Sequence, residues 1–310
     1  MWVGRKMTFL TFYGGVGEIC RNGNFGEKLC KCEKMDAEQR RKIALKLSGE
    51  YCKYCKQEWA ESWFKVKDKK YISMVSLLGK NSLDLRKEDD VFKLFTLALN
   101  WNSRKYGRFD RGLNLFKKLD DAGILNEIFL GKLRWENWER KKQNTNVESK
   151  VVLSYFYLRE RWNEVYQRLM GLGSSTSVEN FIEELHEMFK GGETTPLKVK
   201  IFFILREMKS QEILEIDDRF CCVPDNNVRK IMYIIGLTDV KWSLSPNLEV
   251  MKEISEEISQ LFNRDGYQLH DMPLFWFYMT QCFCTSKCLI YNECTKKFIK
   301  SEGKSKKNIR

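Results

Sequence analysis

Four thiols fall within thirteen residues near the end of the chain, as Cys282-x-Cys284-x3-Cys288-x5-Cys294. Thiolates hold zinc and iron–sulfur clusters, and so short a loop brings four of them together with only tight turns between. A zinc ion and a 4Fe-4S cluster are both satisfied by four thiolates. The closing Cys-x5-Cys interval and the helical pattern before it favour the cluster, with zinc as the alternative. Neither leaves an open coordination position, so the expected role is to fix a loop rather than to react. A second set, Cys30-x-Cys32 and Cys52-x2-Cys55, would suit zinc, with the long gap closed by a helix. Equally, Cys52 and Cys55 are three apart on a helical pattern and read as core or surface thiols. Cys221 and Cys222 are adjacent, cannot readily chelate together, and read as packing residues.

These residues need elements to position them, and the composition says which kind. The 310 residues include only four prolines, and 43% are hydrophobic, which leans toward helix and excludes wholesale disorder. Lys and Arg outnumber Asp and Glu by 54 to 42, and a balance of +12 favours phosphate-bearing partners. No stretch is apolar for long enough to span a bilayer, and no secretory leader is legible, so a cytoplasmic protein with reduced cysteines is expected. Met7–Gly17 reads as a strand and glycine turn, like the first strand of archaeal metallo-β-lactamase-type nucleases. That likeness ends there, because such nucleases need a His and Asp ligand cluster and the chain has only His186 and His270.

From Asp36 the pattern is helical. Asp36 opens a segment to about Phe64, interrupted at Cys52 and Cys55. Val91, Leu94, Phe95 and Ala98 recur at i, i+3, i+4 and i+7, with Asp89 or Asp90 as cap. Further helices are predicted over Val151–Leu169, over Val178–Phe189 capped by Ser177, and over Pro196–Met208 capped by Thr195. Asn227–Ile235 and Asn247–Phe262 complete the set. From Lys296 the tail carries seven basic residues and one acid and is expected to fray. The expected organisation is an N-terminal region 1–88, a helical region 89–295 ending in the cysteine loop, and a basic tail 296–310.

Three stretches in this order carry a resemblance: Asp90–Ser103 (DVFKLFTLALNWNS), Val223–Leu237 (VPDNNVRKIMYIIGL) and the cysteine loop. Together, about Asp90 to Cys294 resembles the helix–hairpin–helix DNA glycosylase superfamily, including its endonuclease III and archaeal oxoguanine glycosylase branches. The resemblance implies a mostly α, two-lobed helical fold with a C-terminal cysteine metal loop. It implies base-excision repair of a damaged base in double-stranded DNA by a monomer, with AP lyase activity in bifunctional members. Asp225 matches the family's catalytic aspartate. Lys200 and Lys198 lie where bifunctional members carry the lysine nucleophile, whose Schiff base permits strand cleavage. Residues two apart on a helix are about 200° apart, so only one of them can face the pocket. Lysine beside apolar neighbours has its pKa lowered, as a nucleophile needs. Asn100 and Asn102 fall where amides wedge DNA or read the lesion. Gly191 and Gly192 fall at the hairpin that grips phosphate, and Arg229 follows the aspartate.

The ordinary structural readings stand beside these. Asp225 also suits a helix N-cap, the lysines suit a solvated face, and Asn100 suits a polar helix end. Trp135, Trp138 and Trp162, interleaved with Arg134, Arg140, Arg159 and Arg161, could stack bases and pair phosphates, although Trp162 reads as core. The chain departs from the family where Gly191-Gly192-Glu193-Thr194-Thr195 replaces its Gly-x-Gly turn, where Asn227 replaces a His, and in the cluster spacing. A non-catalytic metal-containing DNA- or RNA-binding protein on the same scaffold is the competing reading.

Overall fold

The computed structural model describes residues 35–58, 75, 78–100, 109–141, 147–188, 198–242, 246–264, 267–280, 288–290 and 292–293. The chain is mostly helical. The one ladder among the described residues joins two-residue strands β1 (Asn263–Arg264) and β2 (Tyr267–Gln268), antiparallel, with Asn263 opposite Gln268. The chain divides into two compact units, with crossings at Lys65/Val66, Asp225/Asn226, Ser245/Pro246 and His270/Asp271.

The first unit contains α1 (Ala37–Glu58), α10 (Asn226–Ile235) and α12 (Met272–Thr280). Asp36 starts α1 through a capping box: Gln39 N–H donates to Asp36 Oδ1 at 2.8 Å, and Asp36 N–H donates to Gln39 Oε1 at 3.3 Å. The helix then runs unbroken through Cys52 and Cys55, because no residue there lacks an N–H or demands another backbone conformation. Its buried stripe of Ile43, Ala44, Leu47 and Tyr51 faces inward, with Tyr51 6.1 Å from the Trp276 ring of α12. Gly236 ends α10 at φ +78, where Leu237 N–H donates to Met232 O at 2.9 Å.

The second unit is built on α2 (Glu88–Asn100), α3 (Phe109–Asp121), α4 (Ile124–Phe129), α5 (Trp135–Lys141), α6 (Val147–Glu160), α7 (Trp162–Met170), α8 (Ser175–Met188), α9 (Lys198–Ser210) and α11 (Leu248–Phe262). From Ile201 to Ser210 every residue of α9 is buried, so this helix is the axis of its unit and not an amphipathic cover. Aromatic packing organises α2, with the Trp162 ring edge-on to Phe92 at 5.1 Å and to Phe95 at 5.5 Å. Trp162 is core, as its pattern predicted, and its indole N–H donates to Glu88 Oε1 at 2.8 Å. Gly112 lets α3 approach the end of α2, since a Cβ there would lie 2.7 Å from Asn100 O.

Several local readings change. The predicted helix Val151–Leu169 breaks at Arg161 into α6 and α7. Ser177 lies inside α8, and Ser174 does the capping, accepting from Ser177 N–H at 3.2 Å. Asp89 and Asp90 lie in the first turn of α2 instead of capping it. Asp90 is buried, accepts from Asp84 N–H at 3.0 Å and pairs with Lys93 at 3.4 Å. Asn247 caps α11, accepting from Val250 N–H at 2.9 Å. Thr195 and Pro196 lie outside the described residues.

Candidate active site

The second unit sends two lysines from the first turn of α9 in different directions. Lys198 pairs with Glu183 of α8. It lines a cavity of about 340 Å³ together with Glu179, Glu183 and Glu249. Lys252 of α11 pairs with Glu179 and Glu249, each at 2.9 Å. The three carboxylates are engaged by Lys198 and Lys252, so Lys198 is an ion-paired strut between α8 and α9.

Lys200 points elsewhere. The residue as a whole is half-buried, and its amine is buried. Burial pushes the amine down from the usual 10.5 to about 7, and the Asp225 carboxylate partly opposes that fall. At neutral pH about half of such amines carry a free electron pair, which an ordinary lysine almost never does. Sequence reasoning left the two lysines tied; of the two, Lys200 is the one within electrostatic reach of Asp225.

Asp225 is partly buried and stands immediately before α10, the position of a helix N-cap. Its N–H donates to Val223 O at 2.9 Å, closing a tight turn over Pro224. Cys221 to Pro224 are all buried, so the carboxylate ends a segment fixed from below. Ser255 Oγ of α11 donates to Cys222 O at 2.7 Å, and Cys222 Sγ lies 3.7 Å from Nδ1 of His270.

The nucleic-acid contacts expected from sequence divide differently. Asn100 is 2% exposed, its Nδ2 donating to Gly112 O at 3.3 Å and its Oδ1 accepting from Tyr155 Oη–H. Both ends of the amide are committed inside the unit, so it cannot wedge or read a base. Arg229 is 4% exposed and is not displayed to a phosphate. Asn102, Gly191 and Gly192 lie outside the described residues. Of the tryptophans proposed to stack, Trp138 joins Trp162 in the core, while Trp135 is half-buried with its ring 5.7 Å from Phe156.

Of the cysteine sets, Cys30, Cys32, Cys282, Cys284 and Cys294 lie outside the described residues. Cys52 and Cys55 lie on α1, and Cys52 and Cys288 are half-buried. Five residues beyond Cys288, Glu293 pairs with Lys46 of α1 at 2.7 Å, and Ile290 between them is fully buried. Among the described residues no three His, Cys, Asp or Glu side chains converge as a metal would require. Also among the described residues, no helix is long and apolar enough to cross a membrane.

Sequence reasoning missed a buried polar cluster on α9 and the turns beside it. Glu207, fully buried, accepts from Val75 N–H at 3.1 Å and from Arg206 Nε at 3.1 Å. Lys209 donates to Ile216 O and pairs with Asp218. Burial pushes the Cys221 thiol far above its usual range. The run Arg206-Glu207-Met208-Lys209 reads as a solvated helix end. The only hint otherwise was the apolar stretch directly before it. Comparison with family models, with curated proteins and with solved structures returns no match.

Proposed function

We propose that this chain is a DNA base-excision glycosylase with AP lyase activity, with Lys200 as nucleophile and Asp225 as its carboxylate partner. The observation that carries the reading is the buried Lys200 amine, held near neutrality beside Asp225. An amine so poised attacks the sugar carbon that bears a damaged base flipped from the stack. A bond forms from Nζ to that carbon while the bond to the base breaks, and the base departs with the electron pair. Asp225 takes the proton that the attacking nitrogen sheds and faces the positive charge developing on the sugar. The bond from that carbon to the ring oxygen then breaks, the oxygen takes the proton that Asp225 accepted, and a protonated imine is left between Lys200 and the DNA. Loss of a proton from the adjacent carbon then expels the 3′ phosphate and cuts the strand. The surplus of positive charge supplies attraction to DNA at any sequence.

Cys282, Cys284, Cys288 and Cys294 would hold the 4Fe-4S cluster, or zinc in its place, as a loop-fixing element outside the reaction. The Lys46–Glu293 pair ties the described part of that loop to α1.

Borohydride trapping on abasic duplex DNA tests the assignment, because hydride reduces the imine to a stable covalent link. Trapping is expected with the parent protein and with Lys198→Ala, and is expected to vanish with Lys200→Ala. An adduct that survives Lys200→Ala removes the nucleophile named here. DNA binding without trapping in any form favours the non-catalytic binding protein, for which the basic charge alone suffices.

A further inference from the structure

Asp225 and His270 are each the last residue of a segment belonging to the second unit. Cys222, three residues before the first of these ends, meets the second directly and is also held by α11. Its carbonyl accepts from the Ser255 hydroxyl at 2.7 Å, from a fully buried serine on α11. Its thiol meets the His270 imidazole at 3.7 Å, and both are buried. His270 is itself held, its N–H donating to Asn263 Oδ1 at 2.9 Å, at a φ of +51 that a non-glycine residue rarely adopts. Between Cys222 and Asp225 stand only Val223 and Pro224, and Asp225 N–H closes back on Val223 O at 2.9 Å. Proline fixes its own φ and restricts the residue before it, so little backbone freedom survives between clamp and carboxylate.

A buried hydroxyl, thiol and imidazole are a costly way to fill a core, since apolar side chains of similar shape need no partners. Burial holds the imidazole neutral, and Arg206 and Lys209 reinforce this with their positive charge. His270 is thus a fixed dipole against the thiol and not a proton carrier.

We propose that Ser255 and His270 are positioning residues for Asp225, gripping Cys222 from two sides so that the carboxylate stays within electrostatic reach of the Lys200 amine. This rests on the reading of Lys200 and Asp225 as a functional pair. Neither Ser255 nor His270 touches substrate in this account; each acts through the backbone that ends in Asp225. The sequence offered no sign of the device, because its three groups are 48 residues apart from end to end and come from a loop, a helix and a turn.

The test reads the ionisation of Lys200 in the full-length protein, independently of any activity on DNA. The 13Cε shift of Lys200 is followed against pH in protein labelled at lysine and assigned with Lys200→Arg. The Asp225 carboxylate raises the amine's midpoint, so Asp225→Asn is expected to lower it. Ser255→Ala and Cys222→Ala are expected to lower it in the same direction, by about half a pH unit or more. Cys222→Ser keeps a hydrogen-bonding group toward the imidazole and is expected to retain the parent midpoint. In the Asp225→Asn background, Ser255→Ala should add nothing, because the clamp then has no carboxylate to place. Cys222→Ala removes a single sulfur from an intact backbone, so the test does not depend on the Ser255 variant folding. If Asp225→Asn lowers the midpoint while the Ser255 and Cys222 variants leave it unchanged, the clamp is packing only and the inference is overturned. If Asp225→Asn itself moves nothing, the pairing of Lys200 with Asp225 falls, and the clamp falls with it.

Discussion

Replacing Lys200 by methionine should make the protein more stable, by an amount that depends on pH. In the folded chain burial lowers the Lys200 amine from the usual 10.5 to about 7. The unfolded chain therefore binds a proton between these values that the folded chain does not. Stability then rises with pH across that window, and below about pH 7 the folded protein bears the full penalty. At about 1.4 kcal/mol per pH unit, the penalty approaches a ceiling of about 5 kcal/mol at pH 6 and shrinks to about 2 kcal/mol at pH 9. Methionine keeps the length and apolar stem of lysine and carries no charge. The opposing pull of Asp225 is already contained in the net fall to about 7, so it needs no separate allowance. Urea denaturation of parent and Lys200→Met at pH 6 and pH 9, under reducing conditions, should show the variant's advantage falling by about 3 kcal/mol between them. An equal difference at the two pH values, within about half a kcal/mol, would refute the buried, near-neutral amine.

Glu207→Ala should destabilise the chain by about 3–5 kcal/mol in urea, because it removes the buried carboxylate that pairs with Arg206 and accepts from the Val75 N–H. His270 is held well below its usual 6.5 by burial, then by Arg206 and Lys209. The unfolded chain thus takes up a proton below about pH 6.5 that the folded chain refuses, and stability present above that pH is lost as pH falls. The Tm of His270→Asn should accordingly fall less between pH 6.5 and pH 5 than that of the parent. Protein purified without oxygen should be brown, absorb toward the violet, and lose that absorption in Cys288→Ser; a colourless protein bearing zinc would replace the cluster by its alternative.

Much of the helical framework was legible because it rests on local rules. Helices begin where Asp36 and Asn247 were expected to open them, each residue acting as the cap, and the i, i+3, i+4, i+7 stripe of Val91, Leu94, Phe95 and Ala98 is buried. Local rules failed where a tertiary partner decides. Asn100 looked like a polar helix end, yet Gly112 allows α3 so close that Asn100's amide finds its partners in the core. Arg206, Glu207 and Lys209 carry charges that a sequence assigns to solvent, and Val75, Asp218 and Ile216, brought in from elsewhere, help make their burial tolerable. Lys198 and Lys200 differ in sequence only by position. What separates them is Glu183 on one side of α9 and Asp225 on the other. The Cys222 clamp was illegible for the same reason, since Ser255 and His270 have no local pattern in common.

The most direct test of the central claim is the mass of the peptide that carries the DNA after borohydride trapping on an abasic duplex. The account predicts one modified site, the Nζ of Lys200, and loss of that modified peptide in Lys200→Ala. Modification at Lys198 or at the chain's amino terminus, or no covalent adduct under conditions where the DNA is bound, would contradict it.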